Sequence, residues 1–88
     1  SGPAVKPIAL RMVYQAAQSV SIPIIGMGGI QTGEDVAAFL LVGASAVEIG
    51  AENFANPRAV VEAAEGLDAY LDRQGIEHVR DLIGALEL

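Results

Sequence analysis

The sequence predicts an α/β fold in which parallel strands are joined through helices, and three observations support this. The apolar segment 24–25 lies between a proline and a glycine, as expected for a short strand buried on both faces of a parallel sheet. A second segment typical of a strand, AVEI at 46–49, is followed by Gly50 and Ala51. Apolar residues recur with helical spacing before, between and after these segments. Strands joined in this way pair in parallel through right-handed crossovers.

The first predicted helix covers about residues 7–19. Pro7 suits the first turn of a helix, because its missing N–H would be unpaired there in any case. The apolar positions that follow have a period near 3.6 residues: Leu10, Val13, Ala17 and Val20. The segment 21–23 ends with a proline and interrupts the pattern.

The second predicted helix begins near Gly33. Thr32 suits its N-cap, and Asp35 stands three residues later, as in a capping box. Gly43 is a stop signal. The helix is apolar almost all round, so neighbouring elements must cover it; its apolar residues include Val36, Phe39 and Leu40.

The third predicted helix starts at Asn56 and Pro57 and ends at Gly75. Its predicted buried stripe is Val60, Ala63, Ala64, Leu67 and Leu71. A short last helix is predicted from Ile76, Val79, Ile83 and Leu86.

Glycines after the two predicted strands indicate a phosphate site. Bare backbone at Gly28 and Gly29 lets an anion approach main-chain N–H groups, and a helix starting near Gly33 directs its free N–H groups the same way. In a (β/α)8 barrel, the loops after strands 7 and 8 commonly bind phosphate. The sequence therefore predicts the C-terminal portion of a TIM (β/α)8 barrel, with about its last two βα units plus the preceding and terminal helices. A tight turn that binds nothing explains the glycines equally well at this point.

Length and composition limit this prediction. A complete barrel takes about 250 residues, so we expect residues 1–88 to form one partial barrel within a longer or self-associating assembly. The net charge of −6 argues against a nucleic-acid surface, and no apolar run reaches the roughly 18 residues of a membrane span. The chain has no cysteine, which excludes a disulfide, a thiolate metal site and a cysteine nucleophile within it and fits a cytoplasmic location.

The acidic residues of the third helix are not predicted to form a metal site. Glu62, Glu65, Asp68 and Asp72 have helical spacing without further converging ligands, which favours a solvated face. Glu48 stands within a predicted strand, and a structural role is favoured over a place beside a cofactor. His78 is expected to be solvated.

Three segments together resemble the carboxyl-terminal part of dihydroorotate dehydrogenase. They are SGPAVKPIALRMV at 1–13, IGMGGI at 25–30, and GASAVEIG at 43–50 with NFANP at 53–57. The similarity runs over nearly the whole chain and looks most like the NAD-linked bacterial catalytic subunit, class 1B. The quinone-linked form typically has tyrosine and threonine at the positions of Gly50 and Ala51, and the fumarate-linked form departs from the first segment.

The resemblance implies a flavin site at the barrel mouth. The matching FMN contacts are Gly2, Gly28, Gly29, Gly50 and Ala51. Ala51 stands where the family commonly has threonine, and loss of a hydroxyl donor to phosphate costs about 1 to 2 kcal/mol. No catalytic residue is assigned within this chain, because the class 1B base is a cysteine on a loop that these residues do not include.

The implied activity is oxidation of (S)-dihydroorotate to orotate in pyrimidine biosynthesis. Electrons pass from FMN through a partner electron-transfer subunit, which carries FAD and a [2Fe–2S] cluster, to NAD. The 88 residues alone are expected to be inactive and to function within an oligomer. Two alternatives stay open: another phosphate-binding barrel enzyme, such as an isomerase or synthase, and a non-catalytic, self-assembling half-barrel-like module.

Overall fold

The computed structural model describes residues 3–50 and 56–86. Its elements are a 3-10 turn at Pro3–Val5, helix α1 at Lys6–Ser19, strand β1 at Ile25–Met27, helix α2 at Gly33–Leu41, strand β2 at Ala46–Glu48, helix α3 at Ala59–Gln74 and a second 3-10 turn at Val79–Asp81. The two strands pair in parallel, with Ile25 opposite Ala46, Gly26 opposite Val47 and Met27 opposite Glu48. The predicted α/β fold with parallel strands is confirmed.

The predicted signals at the start of α2 and at the end of α3 are also confirmed. Thr32 Oγ1 accepts a hydrogen bond from the Asp35 N–H at 3.1 Å, and Asp35 Oδ2 accepts one from the Thr32 N–H at 3.2 Å, which completes the capping box of α2. Gly75 closes α3 in the left-handed conformation, with φ of 70°. The start of α3 differs from the prediction, because the helix begins at Ala59 with Arg58 as its N-cap and without a side-chain cap bond. Asn56 Oδ1 accepts from the Arg58 N–H at 3.1 Å within the turn that precedes the helix.

The buried side of α3 differs from the prediction. Ala59 and Ala63 are buried, whereas Val60 is 52% exposed and Ala64 is also exposed. The reason is the close backbone approach of Gly66 to α2, which turns the face that carries Ala59 and Ala63 toward the core. Leu67 and Leu71, both predicted to be buried, are partly covered.

The predicted last helix is wrong beyond one short turn. Only Val79–Asp81 is helical, and it is a 3-10 turn. The chain then runs back along the end of α2, where the N–H groups of Gly84 and Leu86 donate to the carbonyls of Leu40 and Leu41 at 2.8 and 3.1 Å. These bonds satisfy carbonyls at the end of α2, and they replace the bonds that a continued helix would have made.

The core lies between the helices and one face of the two-stranded sheet. Phe39 is fully buried at its centre, and the other buried members are Val13, Ile30, Val36, Ala37, Leu40, Ala44, Ala63 and Leu82. The opposite face of the sheet is exposed, including Ile25 and Met27. The prediction of strands buried on both faces is therefore wrong for the residues described, because the helices present cover only the face of Gly26 and Val47. Within 3–50 and 56–86, no helix is both long and apolar enough to cross a membrane.

Candidate functional site

The turn after β1 requires glycine. Gly28 has φ of 115° and Gly29 has φ of 74°, a region that side chains with a Cβ rarely adopt. A Cβ on Gly28 would also lie 3.0 Å from the Ala9 Cβ and 3.5 Å from the Val5 Cγ2. These two residues, called the glycine turn below, thus present bare backbone at the carboxyl end of β1.

A second glycine lies at the same edge of the sheet. Met27 and Glu48 are opposite each other in the parallel pair, so the glycine turn after Met27 and Gly50 after Glu48 follow the same ends of adjacent strands. A Cβ on Gly50 would meet no atom of the described residues within 4 Å. Both glycine segments thus lie at the carboxyl ends of adjacent parallel strands, which is where α/β proteins bind phosphate.

Three of the five predicted FMN contacts are brought to this edge. Gly28, Gly29 and Gly50 lie there as predicted, whereas Gly2 and Ala51 lie outside the described residues. The assignment of all five as cofactor contacts stays a prediction.

The loop before α2 and its first turn bond several of their own N–H groups, while the prediction that free N–H groups of this helix face an anion stays a prediction. The N–H groups of Gln31 and Thr32 donate to Asp35 Oδ2 at 2.9 and 3.2 Å, and the Asp35 N–H donates to Thr32 Oγ1. The Val36 N–H donates to the Thr32 carbonyl at 3.1 Å. The Asp35 carboxylate therefore occupies the N–H groups of Gln31 and Thr32, the two residues just before α2.

Asp35 also joins α2 to the start of α1. The Lys6 Nζ donates to Asp35 Oδ1 at 2.5 Å, and the side chains of Lys6 and Asp35 are 35% and 13% exposed. Burial raises the pKa of Asp35, but the hydrogen bond from Lys6, the backbone N–H groups of Gln31 and Thr32, and the lysine charge together outweigh it. The pKa of this carboxyl therefore lies below its ordinary value.

Sequence reasoning missed the Lys6–Asp35 pair. In the sequence, Asp35 is predicted as part of a capping box, and no role is predicted for Lys6. The two residues are 29 positions apart, so no local pattern could have paired them. Only the folded chain brings α1 beside the loop between β1 and α2.

The other polar residues considered from the sequence lie elsewhere. Glu48 is exposed on the sheet face that the described helices leave uncovered, and its structural role stays a prediction. His78 is exposed. Glu62 accepts from the Asn56 Nδ2 at 2.8 Å, and no group of three or more metal-ligating side chains is found among the residues that the structure covers.

Comparison with protein families identifies the chain's relatives. The family model described as dihydroorotate dehydrogenase matches residues 1–71. The chain belongs to the dihydroorotate dehydrogenase family. The family resemblance expected from the sequence is thereby confirmed.

Individual members of the family are similar over nearly all of the chain. It is 58% identical over 86 residues to a protein of Alkaliphilus oremlandii named dihydroorotate dehydrogenase B (NAD(+)), catalytic subunit. It is 60% identical over 87 residues to a protein of Solibacter usitatus named as a candidate dihydroorotate dehydrogenase A (fumarate). These matches cover 98% and 99% of this chain but only 28% and 29% of the two relatives.

Solved structures of dihydroorotate dehydrogenase share the fold. The enzyme of Eimeria tenella, crystallised with ferulenol, matches with a TM-score of 0.91 and 31% identity. The match covers 97% of this chain and 23% of that one. The ligand-free form of the same enzyme matches with the same TM-score. A two-stranded α/β unit with one uncovered sheet face is consistent with part of a barrel.

Proposed function

We propose that this chain contributes the phosphate-binding edge for FMN in a dihydroorotate dehydrogenase catalytic subunit, as the C-terminal part of its (β/α)8 barrel. The observation that carries the proposal is the glycine turn, whose positive φ angles leave bare backbone at the carboxyl end of β1. Gly50 lies at the neighbouring strand end, as the strand register requires. In a member of this family, two such adjacent ends fit the phosphate of the flavin.

Backbone donors suit this task physically. A phosphate dianion needs several converging donors, and backbone N–H groups supply them without titrating. Residues without side chains, Gly28, Gly29 and Gly50, keep the approach open. Gly2 and Ala51 are proposed as further contacts on the strength of the family resemblance.

The proposed reaction converts (S)-dihydroorotate to orotate. FMN, when bound, supplies the acceptor for the hydride, and the protein supplies binding, orientation and a base for the proton. This chain has no cysteine, so the cysteine base of the class 1B pattern has to come from outside these 88 residues. The chain's share of the mechanism is to hold and orient the cofactor's phosphate end.

The uncovered sheet face has a place in this proposal. Ile25, Met27, Ala46 and Glu48 are exposed here, and in a closed barrel such a face lines the interior. The outer edges of β1 and β2 would pair with further strands, which removes their unpaired backbone groups.

We further propose NAD as the electron acceptor, reached through a partner subunit with FAD and a [2Fe–2S] cluster. This follows the class 1B resemblance and the name of the Alkaliphilus oremlandii relative. The fumarate-linked alternative is supported by the Solibacter usitatus relative. Dihydroorotate oxidation by the intact protein with its electron-transfer subunit and NAD, but not with fumarate, would favour the first proposal.

A chimera tests the core of the proposal. This chain replaces the matching segment of the Alkaliphilus oremlandii subunit, and the flavin released from the purified protein is measured by absorbance and mass. We expect bound FMN, and we expect Gly28→Val and Gly29→Val to lose most of it. Gly75→Val is the matched control, because Gly75 also has a positive φ but ends α3, and the end of a crossover helix lies away from the carboxyl ends of the strands.

The outcomes separate the alternatives. A folded chimera without flavin, or full flavin content in both valine variants of the turn, would contradict the proposal. Retention of a sugar phosphate instead of flavin would favour another phosphate-binding barrel enzyme. Concentration-dependent mass without affinity for either would favour a self-assembling module.

A further inference from the structure

We propose that Lys6 is a positioning residue for the flavin phosphate: it fixes the segment behind the glycine turn and cancels the charge of Asp35 beside it. This inference rests on the proposed function. It adds a residue that the sequence left unassigned and that acts on the glycine turn through Asp35.

Asp35 links the loop after the glycine turn to helix α1. Asp35 Oδ2 holds the N–H groups of Gln31 and Thr32, and Asp35 Oδ1 accepts from Lys6. Gln31 is only two residues after Gly29. The chain that leaves the glycine turn is therefore tied to the first turn of α1 through one carboxylate.

The same turn of α1 also touches the glycine turn itself. Val5 and Ala9 flank the space where a Cβ of Gly28 would stand, at 3.5 and 3.0 Å. Lys6 lies in the same helical turn as these two residues. The amino end of α1 therefore contacts the loop at Gly28 through apolar atoms and at Asp35 through an ion pair, which restrains the loop from both sides.

The charge of Asp35 also bears on the binding of a phosphate. The Asp35 carboxylate is bonded to the N–H of Gln31, close behind the glycine turn. By itself it would repel a phosphate dianion there, because like charges at a partly buried site disfavour each other. The Lys6 ammonium lies directly on this carboxylate. Removal of Lys6 would leave the Asp35 charge uncompensated next to the proposed phosphate, while the isoalloxazine end of the flavin would be unaffected.

The test compares FMN with riboflavin, which lacks the phosphate. Dissociation constants of both are measured for the intact apoprotein and for Lys6→Met. We expect FMN binding to weaken about three- to tenfold and riboflavin binding to stay within about twofold. Arg80→Met is the matched control, because it removes one positive charge from the exposed 3-10 turn at Val79–Asp81, and it should leave both constants unchanged.

Two more variants complete the experiment. Adding Asp35→Asn to Lys6→Met removes the uncompensated carboxylate, so part of the FMN affinity should return; a purely structural role predicts a further loss. Lys6→Gln keeps a hydrogen-bond donor for Asp35, and it replaces Lys6→Met in the binding measurement if Lys6→Met does not fold. It should also lose affinity for FMN and not for riboflavin.

The two proposals fail in different ways. If the unsubstituted protein binds riboflavin as tightly as FMN, the phosphate assignment of the glycine turn is wrong, and the role of Lys6 falls with it. If it prefers FMN and the folded Lys6 variants keep the same ratio of the two constants, only the role of Lys6 is overturned.

Discussion

Gly33 and Gly66 meet backbone to backbone where the first turn of α2 packs on the middle of α3. A Cβ on Gly33 would lie 2.1 Å from both the Gly66 carbonyl carbon and the Leu67 nitrogen. A Cβ on Gly66 would lie 3.1 Å from the Gly33 nitrogen and 3.2 Å from its Cα. The two helices are therefore closer than side chains would allow, and this contact holds the first turn of α2 against the middle of α3.

Replacing Gly33 with alanine should be severely destabilising. The new methyl group would meet backbone atoms that no rotamer change can move, so the helices have to separate. Overpacking of this kind typically costs about 1 to 3 kcal/mol, and we expect the upper end or more. Denaturant unfolding of the intact protein measures the loss. Gly75→Ala is the control, because its new methyl group would meet no atom within 4 Å. The positive φ at this position should lower the free energy of unfolding by only about 1 kcal/mol.

The reciprocal substitution should be milder. Gly66→Ala makes tight but not impossible contacts with Gly33, and alanine gains about 1 kcal/mol over glycine inside a helix. We expect a net loss smaller than that of Gly33→Ala in the same unfolding experiment. Equal losses of unfolding free energy at Gly33 and Gly66 would contradict the prediction, because the methyl group added at Gly33 lies closer to backbone atoms than the one added at Gly66.

Gly26→Ala should disturb the core through Phe39. A Cβ at Gly26 would lie 2.6 Å from the Phe39 Cδ1 and 3.3 Å from the Ala44 Cβ. Phe39 is fully buried, so its ring has little room to move. We expect a loss of about 1 to 3 kcal/mol in the free energy of unfolding.

A double variant checks the cause of that loss. Phe39→Leu alone should destabilise the protein by removing buried volume, but combined with Gly26→Ala it should cost less than the sum of the single losses. Additive losses would mean that the ring is not what opposes the methyl group.

Local signals explain which parts of the fold could be predicted from the sequence. The Thr32–Asp35 capping box and the Gly75 cap involve neighbours within one helical turn, and both are confirmed. The glycine turn was also recognisable, because a glycine pair after an apolar strand indicates positive φ. A phosphate ligand was one of two interpretations of these glycines, and the proposal of FMN as that ligand rests on the family resemblance.

Contacts between distant segments explain the rest. The predicted last helix is wrong because Gly84 and Leu86 bond to the end of α2. The predicted buried face of α3 is misplaced because Gly66 packs on Gly33. In both places the apolar residues have helical spacing, but contacts with distant segments of the chain decide which structure forms.

Stability should depend on pH through Asp35. The pKa of Asp35 is lowered in the folded protein. Its contribution to the free energy of unfolding is therefore fully present above the pKa of about 3.9 that it has in the unfolded chain. The contribution is lost as pH falls through the pKa of the folded protein. Asp35→Asn should cost about 1 kcal/mol at pH 7, and this difference should vanish in acid. Unfolding midpoints of both proteins from pH 7 to about pH 2 measure it. Asp68→Asn, at an exposed position, is the control for the change in net charge. A difference in unfolding midpoint between the unsubstituted protein and Asp35→Asn that stays constant with pH would contradict the prediction.

Met27 tests whether the uncovered sheet face is buried in the intact protein. Met27 and Val61 are 55% and 51% exposed here, but Val61 lies on the side of α3 opposite Ala59 and Ala63, as helical geometry requires. If β1 belongs to a closed barrel, Met27→Ser removes a buried side chain and should lower the free energy of unfolding by about 2 kcal/mol or more. Val61→Ser should stay within about 0.5 kcal/mol. If Met27→Ser leaves the free energy of unfolding of the intact protein unchanged, this sheet face stays open to solvent. That result would contradict the proposal that β1 belongs to a closed barrel.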